Sequence, residues 1–426
     1  MSSFHVILTG SNDELGSYLL EVLSRNETVK TITCLKPLPD PKAPKATTER
    51  PTGQGSRVSI PLHEKVQFLQ CDLSKPDLDI EAGTNQALRA TVNLVIHNDW
   101  PSDPGRPFSY FHPHLLGVKN LINFVNKCTH GTKLCFISSA SVAGRWAALS
   151  GASSKIPEVV LEDWRLATPG YGQSKLVAER LIAEATRSLG IDGVICRLGQ
   201  VTGPARNDHY GLANSRDWFP SMIRSSIVLG ALPATLGPLD DIDWMPVDTC
   251  AEILVQLQIQ TGLENDERRR WGRKGRRDGK TIQVHHLTNP YTTPYSSLVK
   301  IIQDTLSENI KIIPLSEWID LLEKSANQKD NTNAKMIEPS QSPAQPELAD
   351  TSSKDMRVDA IPALKSITFF KELEMRARVV PSARAPRLET KLTASKSTIL
   401  REMRAVEQVE VKNWLRQWGI VRFERA

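Results

Sequence analysis

Near its amino terminus the chain reads Phe4-His-Val-Ile-Leu-Thr-Gly-Ser-Asn-Asp-Glu-Leu-Gly16, followed by Ser17-Tyr-Leu-Leu-Glu-Val-Leu23. The apolar run from Phe4 to Leu8 is typical of a strand that is buried in a parallel sheet. A turn with Gly10 and Gly16 follows this strand, and an amphipathic helix follows the turn. The order of strand, glycine turn and helix predicts a site where helix amide groups bind a pyrophosphate.

The turn departs from the dinucleotide-binding pattern at one position. The spacing G-x-x-G-x-x-G requires a third glycine at position 13, and this chain has Asp13 there. We keep two hypotheses for this carboxylate. Either it repels the phosphates and weakens cofactor binding, or it turns away and caps the helix that begins near Glu14.

Further along the chain, apolar runs alternate with helical patterns. Strands are predicted at 31–35, 66–73, 92–98, 134–138 and 192–198, and helices at 115–125 and 171–188. This alternation indicates an α/β fold with a Rossmann-type doubly wound parallel sheet, covered by helices on both faces. We assign residues 1–205 to this NADP-binding domain, with sheet elements continuing near 243–248 and 283–287.

The remainder of the chain predicts a smaller, mostly helical substrate-binding part over residues 206–325 and 359–426. Residues 326–358 show no apolar period and are rich in Asn, Gln, Ser, Pro and Lys, which predicts a disordered insertion. Helices are expected at 364–378 and 393–419. Their apolar faces should dock on the substrate-binding part, because a lone amphipathic helix is marginal in water.

Aromatic bulk marks the start of a predicted helix in the substrate-binding part. Trp218, Phe219 and Met222 lie on it. The sequence supports two interpretations of these side chains equally, as the lining of an acyl pocket or as core.

Candidate catalytic residues lie on the predicted helix that begins with Tyr171-Gly-Gln-Ser-Lys175. Tyr171 and Lys175 are four residues apart and share one helix face. The strand at 134–138 ends in hydroxyls, among them Ser139. A free tyrosine titrates near pH ~10, and a nearby ammonium is expected to lower that pKa. Such a set moves a proton to or from a carbonyl oxygen, although an isolated Tyr/Lys pair also arises by chance on exposed helices.

Composition and charge exclude several classes of protein. Of the 426 residues, 40% are hydrophobic and 24% charged, as in soluble globular proteins. The absence of a long apolar run and of a signal peptide predicts a cytoplasmic protein without a membrane span. The six cysteines lack metal-ligand spacing, so we expect reduced thiols and no metal.

The net charge of +5 is local, because eight basic and four acidic residues lie between Glu264 and Lys280. The remainder is near neutral, so no nucleic-acid partner is predicted. This basic segment is interpreted either as a solvated loop or as a surface for an acidic partner.

Two strand ends bear on the cofactor. Lys36 follows the second predicted strand, where a basic side chain suits the 2′-phosphate of NADP. A solvated lysine is the other interpretation of this position. Asp72 ends the third predicted strand, where a fold of this kind meets the adenine.

Several stretches together resemble the extended short-chain dehydrogenase/reductases: TGSNDELG, CDLS, IHNDWPSD, FISSAS, YGQSK and RLGQVTG, in that order. Three others are similar to thioester reductase domains of fungal nonribosomal peptide synthetases, hybrid polyketide synthases and carboxylic acid reductases. These are Ile96-His-Asn-Asp-Trp-Pro101, Asp243-Trp-Met-Pro-Val-Asp248 and Trp414-Leu-Arg-Gln-Trp-Gly419. The resemblance covers about residues 4–325 and 360–423.

The resemblance implies NADPH as cofactor and Ser139, Tyr171 and Lys175 as catalytic residues. The cofactor-binding residues that it implies are Thr9, Gly10, Ser11, Asn12, Leu15, Gly16, Lys36, Asp72, Leu73, Asn98, Lys175, Gly199, Gln200 and Val201. Besides Asp13, two positions depart from the family: Pro37 replaces the usual arginine for the 2′-phosphate, and Asp99 replaces a small alanine.

The function implied is NADPH-dependent reduction of an acyl thioester to an aldehyde, with a second hydride giving the alcohol. The acyl group would be carried on a phosphopantetheine arm whose carrier domain comes in trans, and we expect a monomer. Two alternatives stay open. One is an extended reductase for a small free carbonyl or a nucleotide-sugar. The other is a decayed, non-catalytic NADP-binding module, which Asp13 and Asp99 would mark.

Overall fold

The computed structural model describes residues 3–37, 64–101, 103, 105–150, 155–206, 217–270, 281–327, 360–379 and 384–421. Residues 328–358 of the predicted insertion and residues 271–280 of the basic segment lie outside the described residues. Packing of the backbone groups the chain into two compact units. The first unit comprises Met1–Ala213, Asp243–Thr292 and Ala385–Val406, and the second comprises Asn214–Ile242, Thr293–Arg384 and Glu407–Ala426.

The strands in chain order are β1 (Phe4–Thr9), β2 (Val29–Pro37), β3 (Val66–Cys71), β4 (Leu94–His97), β5 (Lys133–Ser139), β6 (Asp192–Leu198), β7 (Val201–Thr202), β8 (Ala231–Pro233), β9 (Asp241–Ile242), β10 (Met245–Pro246), β11 (Gln283–Leu287), β12 (Thr293–Pro294) and β13 (Lys311–Ile313). The α-helices are α1 (Glu14–Arg25), α2 (Ala82–Thr91), α3 (His112–Asn126), α4 (Trp146–Ser150), α5 (Tyr171–Leu189), α6 (Trp218–Leu229), α7 (Val247–Arg270), α8 (Tyr295–Leu306), α9 (Leu315–Asn327), α10 (Ile367–Val379), α11 (Lys391–Lys396), α12 (Thr398–Arg401) and α13 (Gln408–Gln417).

The first unit is built on a seven-stranded sheet with the order β11-β6-β5-β4-β1-β2-β3. All neighbouring strands in it are parallel. The strand order reverses at β1 and β4, which is where Rossmann-type sheets bind ligands, at the carboxyl ends of the strands. The predicted fold class, a doubly wound parallel α/β sheet, is confirmed.

The continuous apolar runs in the strands arise because both faces of the sheet are covered. Alternate residues point to opposite faces, so Ile7 and Leu35 pack with α3 and α5. Leu8 and Cys34 pack on the other face with α1 and α7. Each face of the sheet therefore has its own hydrophobic core, and the strands lie between the two cores.

Two pairings of the first unit were only partly anticipated. The strand predicted at 283–287 is the edge strand β11 of the main sheet. The residues predicted near 243–248 instead form β10, which pairs with β7 in a separate two-stranded sheet. The long helix α7 follows β10 directly and packs on one face of the main sheet.

The carboxyl-terminal region differs from expectation. Residues 385–406, assigned from the sequence to the substrate-binding part, belong to the first unit. The single helix predicted at 393–419 is instead three helices, α11, α12 and α13. Ser397 caps α12, with its hydroxyl accepting the Leu400 N–H at 3.2 Å. Between α12 and α13, the Asn289 side-chain amide donates to the Arg404 carbonyl at 2.7 Å.

The second unit is mostly helical and has an aromatic core. Trp318, Phe370 and Trp414 are fully buried in it, and the Trp318 indole N–H donates to Ser226 at 3.0 Å. Phe219 and Met222 are also buried, so these two side chains are core. Trp218 is half-buried and packs against Phe369, with ring centroids 5.3 Å apart.

None of the helices within the described residues is both long enough and apolar enough to cross a membrane.

Candidate active site

The turn between β1 and α1 depends on its two glycines. Gly10 has φ +70°, a conformation that favours glycine, and a Cβ there would lie 2.9 Å from the Asp99 nitrogen. A Cβ at Gly16 would overlap the Gly10 carbonyl oxygen. Glycine at both positions therefore lets the start of α1 pack against the turn and lets β4 end close to it, as the sequence predicted.

Asp13 is the N-cap of α1. Its carboxylate accepts the Gly16 N–H at 2.6 Å and both oxygens accept from the Asn98 side-chain amide, at 2.9 and 2.8 Å. Part of the residue stays accessible to solvent. Loss of hydration around the carboxyl group nevertheless outweighs these hydrogen bonds and raises its pKa to about 6. The capping hypothesis thus describes the geometry found.

The other predicted turn residues take different positions. The Thr9 side chain is buried, accepts the N–H groups of Asn98 and Asp99 at 3.1 Å each, and contacts His97 Nδ1 at 2.8 Å. It therefore ties the end of β1 to the end of β4 and does not face solvent. Ser11 and Leu15 are buried as well, whereas Asn12 is exposed.

A cavity of about 270 Å³ lies at the carboxyl edge of the sheet. Its lining residues are Leu35, Pro37, Cys71, Asp72, Leu73, Ser74, His97, Asp99, Pro113, His114 and Gly117. The structure thus brings the predicted adenine residues Asp72 and Leu73 to one cavity. Burial raises the pKa of Asp99 and lowers that of His97 to about 3, so His97 is neutral.

Lys36 does not line this cavity. Leu35 and Pro37 do, and side chains alternate along a strand, so Lys36 points to the other face of the sheet. Its ammonium lies 3.9 Å from the ring centroid of Phe68. Cys34 shares this face, and its thiol lies beside the Ser11 hydroxyl, which is buried without a hydrogen-bond partner among the described residues. Lys36 therefore lies on the same side as the glycine turn.

The cavity and the turn fit half of a dinucleotide. Two observations support this fit: the turn has the backbone approach that glycine allows, and His97 Nε2 is buried at the cavity without a hydrogen-bond partner among the described residues. Asp13 does not fit this pattern, because its carboxylate accepts the Gly16 N–H and so takes an amide that could otherwise bind a phosphate.

The catalytic candidates Ser139 and Tyr171 meet at the end of β5. Gly172 makes this possible, because a Cβ there would overlap the Ser141 carbonyl oxygen and the Thr168 hydroxyl. The start of α5 therefore lies directly on the segment after β5. Ser139 Oγ accepts the Ser141 N–H at 3.2 Å and the Ser141 hydroxyl at 3.0 Å. The Tyr171 phenol lies beside the Ser139 hydroxyl.

The expected effect of Lys175 on Tyr171 is absent, and this corrects the sequence analysis. Burial raises the pKa of Tyr171 to about 12, opposed only by the neighbouring Ser139 hydroxyl. The Lys175 ammonium points elsewhere and donates to the Ile137 carbonyl at 2.7 Å. Burial lowers the pKa of Lys175 itself to about 7, against the attraction of Asp13, Glu179 and Asp99.

Sequence reasoning missed several residues around this lysine. Trp100 and Phe136 each place a ring centroid 4.7 Å from the Lys175 ammonium. Glu179 lies one helical turn beyond Lys175 and is fully buried. The signals were present, since Trp100 belongs to the Ile96–Pro101 motif and a glutamate four residues after a lysine shares its helix face.

Glu179 belongs to a buried network. The Arg197 guanidinium donates to both its oxygens, at 2.9 and 2.7 Å, and neither side chain is exposed. The Ser138 hydroxyl donates to the same carboxylate at 2.5 Å. Arg197 also contacts His286 Nε2 at 3.2 Å, and His286 Nδ1 contacts the Glu389 carbonyl at 2.7 Å. This chain of bonds connects residues 385–406 to the strand that carries Ser139.

The three residues predicted to contact the nicotinamide, Gly199, Gln200 and Val201, follow the carboxyl end of β6. Some of their backbone groups already have hydrogen-bond partners. The Gly199 N–H donates to Leu287 at 2.9 Å, and the Gln200 carbonyl accepts from Met245 at 2.9 Å. The segment is therefore fixed to the sheet at the edge where β6 ends.

Comparison with known proteins shows that this sequence matches one family model and is similar to several reductases. The sequence model of the NAD-binding family described as male sterility protein matches residues 8–254. A carboxylic acid reductase of Neurospora crassa is 31% identical over 97% of this chain. The chain covers only 35% of that protein, and 14% and 28% of the next two curated relatives.

Solved reductase domains have the same fold. The terminal R domain of the myxalamid PKS-NRPS pathway is similar with a TM-score of 0.70 and 19% identity, over 99% of this chain and 91% of that one. A thiolation-reductase di-domain from an archaeal nonribosomal peptide synthetase has a TM-score of 0.62 and 17% identity, over 98% and 76%.

Proposed function

This chain belongs to the NAD-binding family described as male sterility protein, and on that premise we propose that it reduces a carrier-bound acyl thioester to an aldehyde with NADPH. The family uses a nicotinamide dinucleotide. The observation that carries the proposal is the meeting of Ser139 and Tyr171 at the end of β5, with Lys175 buried one turn further along α5.

Ser139 and Tyr171 would bind the carbonyl oxygen of the thioester. The Ser139 oxygen already accepts two hydrogen bonds from Ser141, so its own hydrogen is available to donate. Both hydroxyls stabilise the charge that develops on the oxygen. The bound nicotinamide supplies the hydride. Tyr171 then gives its proton to the oxygen, and the hemithioacetal breaks its C–S bond to release the aldehyde and a thiol.

We propose NADPH over NADH because of Lys36. Lys36 shares a face of the sheet with Cys34, which lies beside Ser11 of the glycine turn, and the buried Ser11 hydroxyl has no hydrogen-bond partner among the described residues. A 2′-phosphate between Lys36 and Ser11 would gain a charge-assisted hydrogen bond. Lys36→Ala should weaken NADPH binding between about two- and tenfold and leave NADH unchanged. Lys30→Ala, at the exposed start of the same strand, is the control and should change neither.

We also propose how the substrate arrives. A phosphopantetheine arm from a carrier domain, supplied in trans, would present the acyl group. The archaeal di-domain similar to this chain pairs a reductase with a thiolation domain. The second unit would hold the acyl chain, with Trp218 and Phe369 as half-buried aromatic surfaces. The protein would act as a monomer in the cytoplasm, where its six free cysteines stay reduced.

The test is turnover of NADPH with an acyl-pantetheine thioester, an acyl-carrier protein, a free aldehyde and a nucleotide-sugar. Thioester turnover should depend on the Tyr171 hydroxyl, so Tyr171→Phe should lose ~10²–10⁴-fold in rate with NADPH binding kept. Tyr291→Phe, which is exposed, is the matched control. Turnover of only the free carbonyls would favour the small-carbonyl reductase, and NADPH binding without any turnover would favour the decayed module.

A further inference from the structure

The Lys175 ammonium lies in a pocket made largely of aromatic rings. Its nitrogen is 4.7 Å from the ring centroids of both Trp100 and Phe136, and 5.9 Å from that of Tyr171. The lysine is 3% exposed. A buried ammonium loses its hydration, so the groups that touch it decide whether its charge and position are kept. These groups are the Ile137 carbonyl and the ring faces.

The Trp100 ring is fixed by other rings. It stacks on Phe111 with an interplanar angle of 11° and a centroid distance of 6.3 Å, and meets Phe136 edge-on at 5.5 Å. His97 and His114 contact it as well, at 6.2 and 5.5 Å. Its indole N–H has no hydrogen-bond partner among the described residues. The ring is therefore held by packing, and its polar group takes no part in holding it.

We infer that Trp100 is a positioning residue for Lys175, and that the face of its indole holds the ammonium at the end of β5. Tryptophan presents the most negative ring face of the aromatic side chains, and the attraction grows when the cation is desolvated. The inference rests on the proposed function in so far as Lys175 serves the reduction. The attraction between the indole ring and the ammonium does not depend on that function, because it acts in the protein without cofactor or substrate.

Other charged and titratable groups also face the lysine, from each element packed around it. They are Asp13 before α1, Asp99 after β4, Glu179 on α5, and His97, His114 and Tyr171. The carboxylates favour the ammonium, and the ammonium in turn helps to lower the pKa of both histidines. A test must therefore change the ring face alone and leave the ring shape and these charges as they are.

Stepwise fluorination of Trp100 meets this requirement, because fluorine weakens the negative ring face and almost preserves its size. We would incorporate mono-, di- and trifluorotryptophan at position 100 and follow the Lys175 pKa by NMR of labelled lysine. Lys175→Ala assigns the signal. The pKa should fall in steps, by about one unit in total. The same series at Trp164, which is 62% exposed, should cause no shift.

Two variants distinguish the electrostatic effect of the ring face from the effect of side-chain volume. Trp100→Phe keeps a weaker ring face and should lower the Lys175 pKa less than Trp100→Leu does. The affinity for NADPH should follow the same order, with its decline at high pH beginning earlier in the leucine variant. A pKa that is unchanged across the fluorinated series would overturn the inference, even if Trp100→Leu loses activity through misfolding.

The outcome is independent of the thioester proposal. Both the lysine pKa and the NADPH affinity are measured without any acyl substrate. If the pKa falls in steps and no thioester is reduced, the role of Trp100 stands and the proposed substrate fails. If thioesters are reduced and the pKa does not move, the proposed function stands and Trp100 is only a core residue.

Discussion

The side-chain amide of Asn98 donates to both carboxylate oxygens of Asp13, at 2.9 and 2.8 Å. This pair joins the end of β4 to the start of α1, at the point where the strand order reverses between β1 and β4. Since Asp13 also takes the Gly16 N–H, its carboxylate has a structural task that glycine could not perform. Phosphate repulsion is therefore not needed to explain its presence.

Replacing Asp13 should affect stability more than cofactor binding. Asp13→Gly removes the cap side chain and leaves the Asn98 side-chain amide with only its 3.3 Å bond to the Gly10 carbonyl, so the free energy of unfolding should fall by about 1 kcal/mol. Asp13→Asn keeps an acceptor and should lose less. The NADPH dissociation constant, measured by fluorescence titration, should stay within about threefold in both. Tenfold tighter binding in both variants would instead support phosphate repulsion.

Dinucleotide binding should depend on pH through Lys175. Burial lowers its pKa to about 7 in the free protein, and an anionic cofactor favours the ammonium. Below that pH the lysine is already charged and affinity is constant. Above it, binding must take up a proton, so affinity should fall by up to tenfold per pH unit. Calorimetry in phosphate and Tris buffers would detect the proton, and Lys175→Met should abolish the dependence.

Gly172→Ala should disturb the meeting of Tyr171 and Ser139. The added Cβ overlaps the Ser141 carbonyl, so α5 must shift, and overpacking of this kind costs about 1–3 kcal/mol of stability. Turnover should fall with it, because the phenol moves away from the serine. Gly83→Ala is the matched control in another helix, where the new Cβ meets only the flexible Glu81 carboxylate. Equal melting temperatures for both variants would contradict this.

The ion pair of Arg197 and Glu179 should be costly to break on one side only. Arg197→Met or Glu179→Leu leaves an unpaired buried charge, so each should lose about 3–5 kcal/mol of stability by urea unfolding. The double variant should recover much of that loss. Arg187→Ala, which breaks an exposed pair with Glu184, should cost less than about 0.5 kcal/mol. Additive losses in the double variant would mean that the pair is not coupled.

The sequence predicted the parallel sheet well, because a strand covered on both faces must be apolar throughout. Strand β6 and the start of α5 have the predicted bounds, and the turn glycines lie where a Cβ would clash. These features depend on local pattern alone.

Features set by tertiary packing could not be read in this way. The sequence places Lys175 one turn from Tyr171, but burial and the Ile137 carbonyl decide where its ammonium points. In the segment between α12 and α13, Arg404 is hydrogen-bonded to Asn289, which is 115 residues away in the chain. No periodicity in the segment itself signals either outcome. The roles of the site residues and the boundaries of the substrate-binding part stay predictions.

Residues 385–406 also bear on how the protein is made. A domain usually folds as a unit during synthesis, its amino-terminal part first. Here the first unit contains β1 at one end of the chain and α11 and α12 near the other. His286 finds its partners Thr393 and Glu389 only after those residues have been synthesised. The sheet, whose strand β1 is translated long before these residues, would therefore reach its final packing only once α11 has been made.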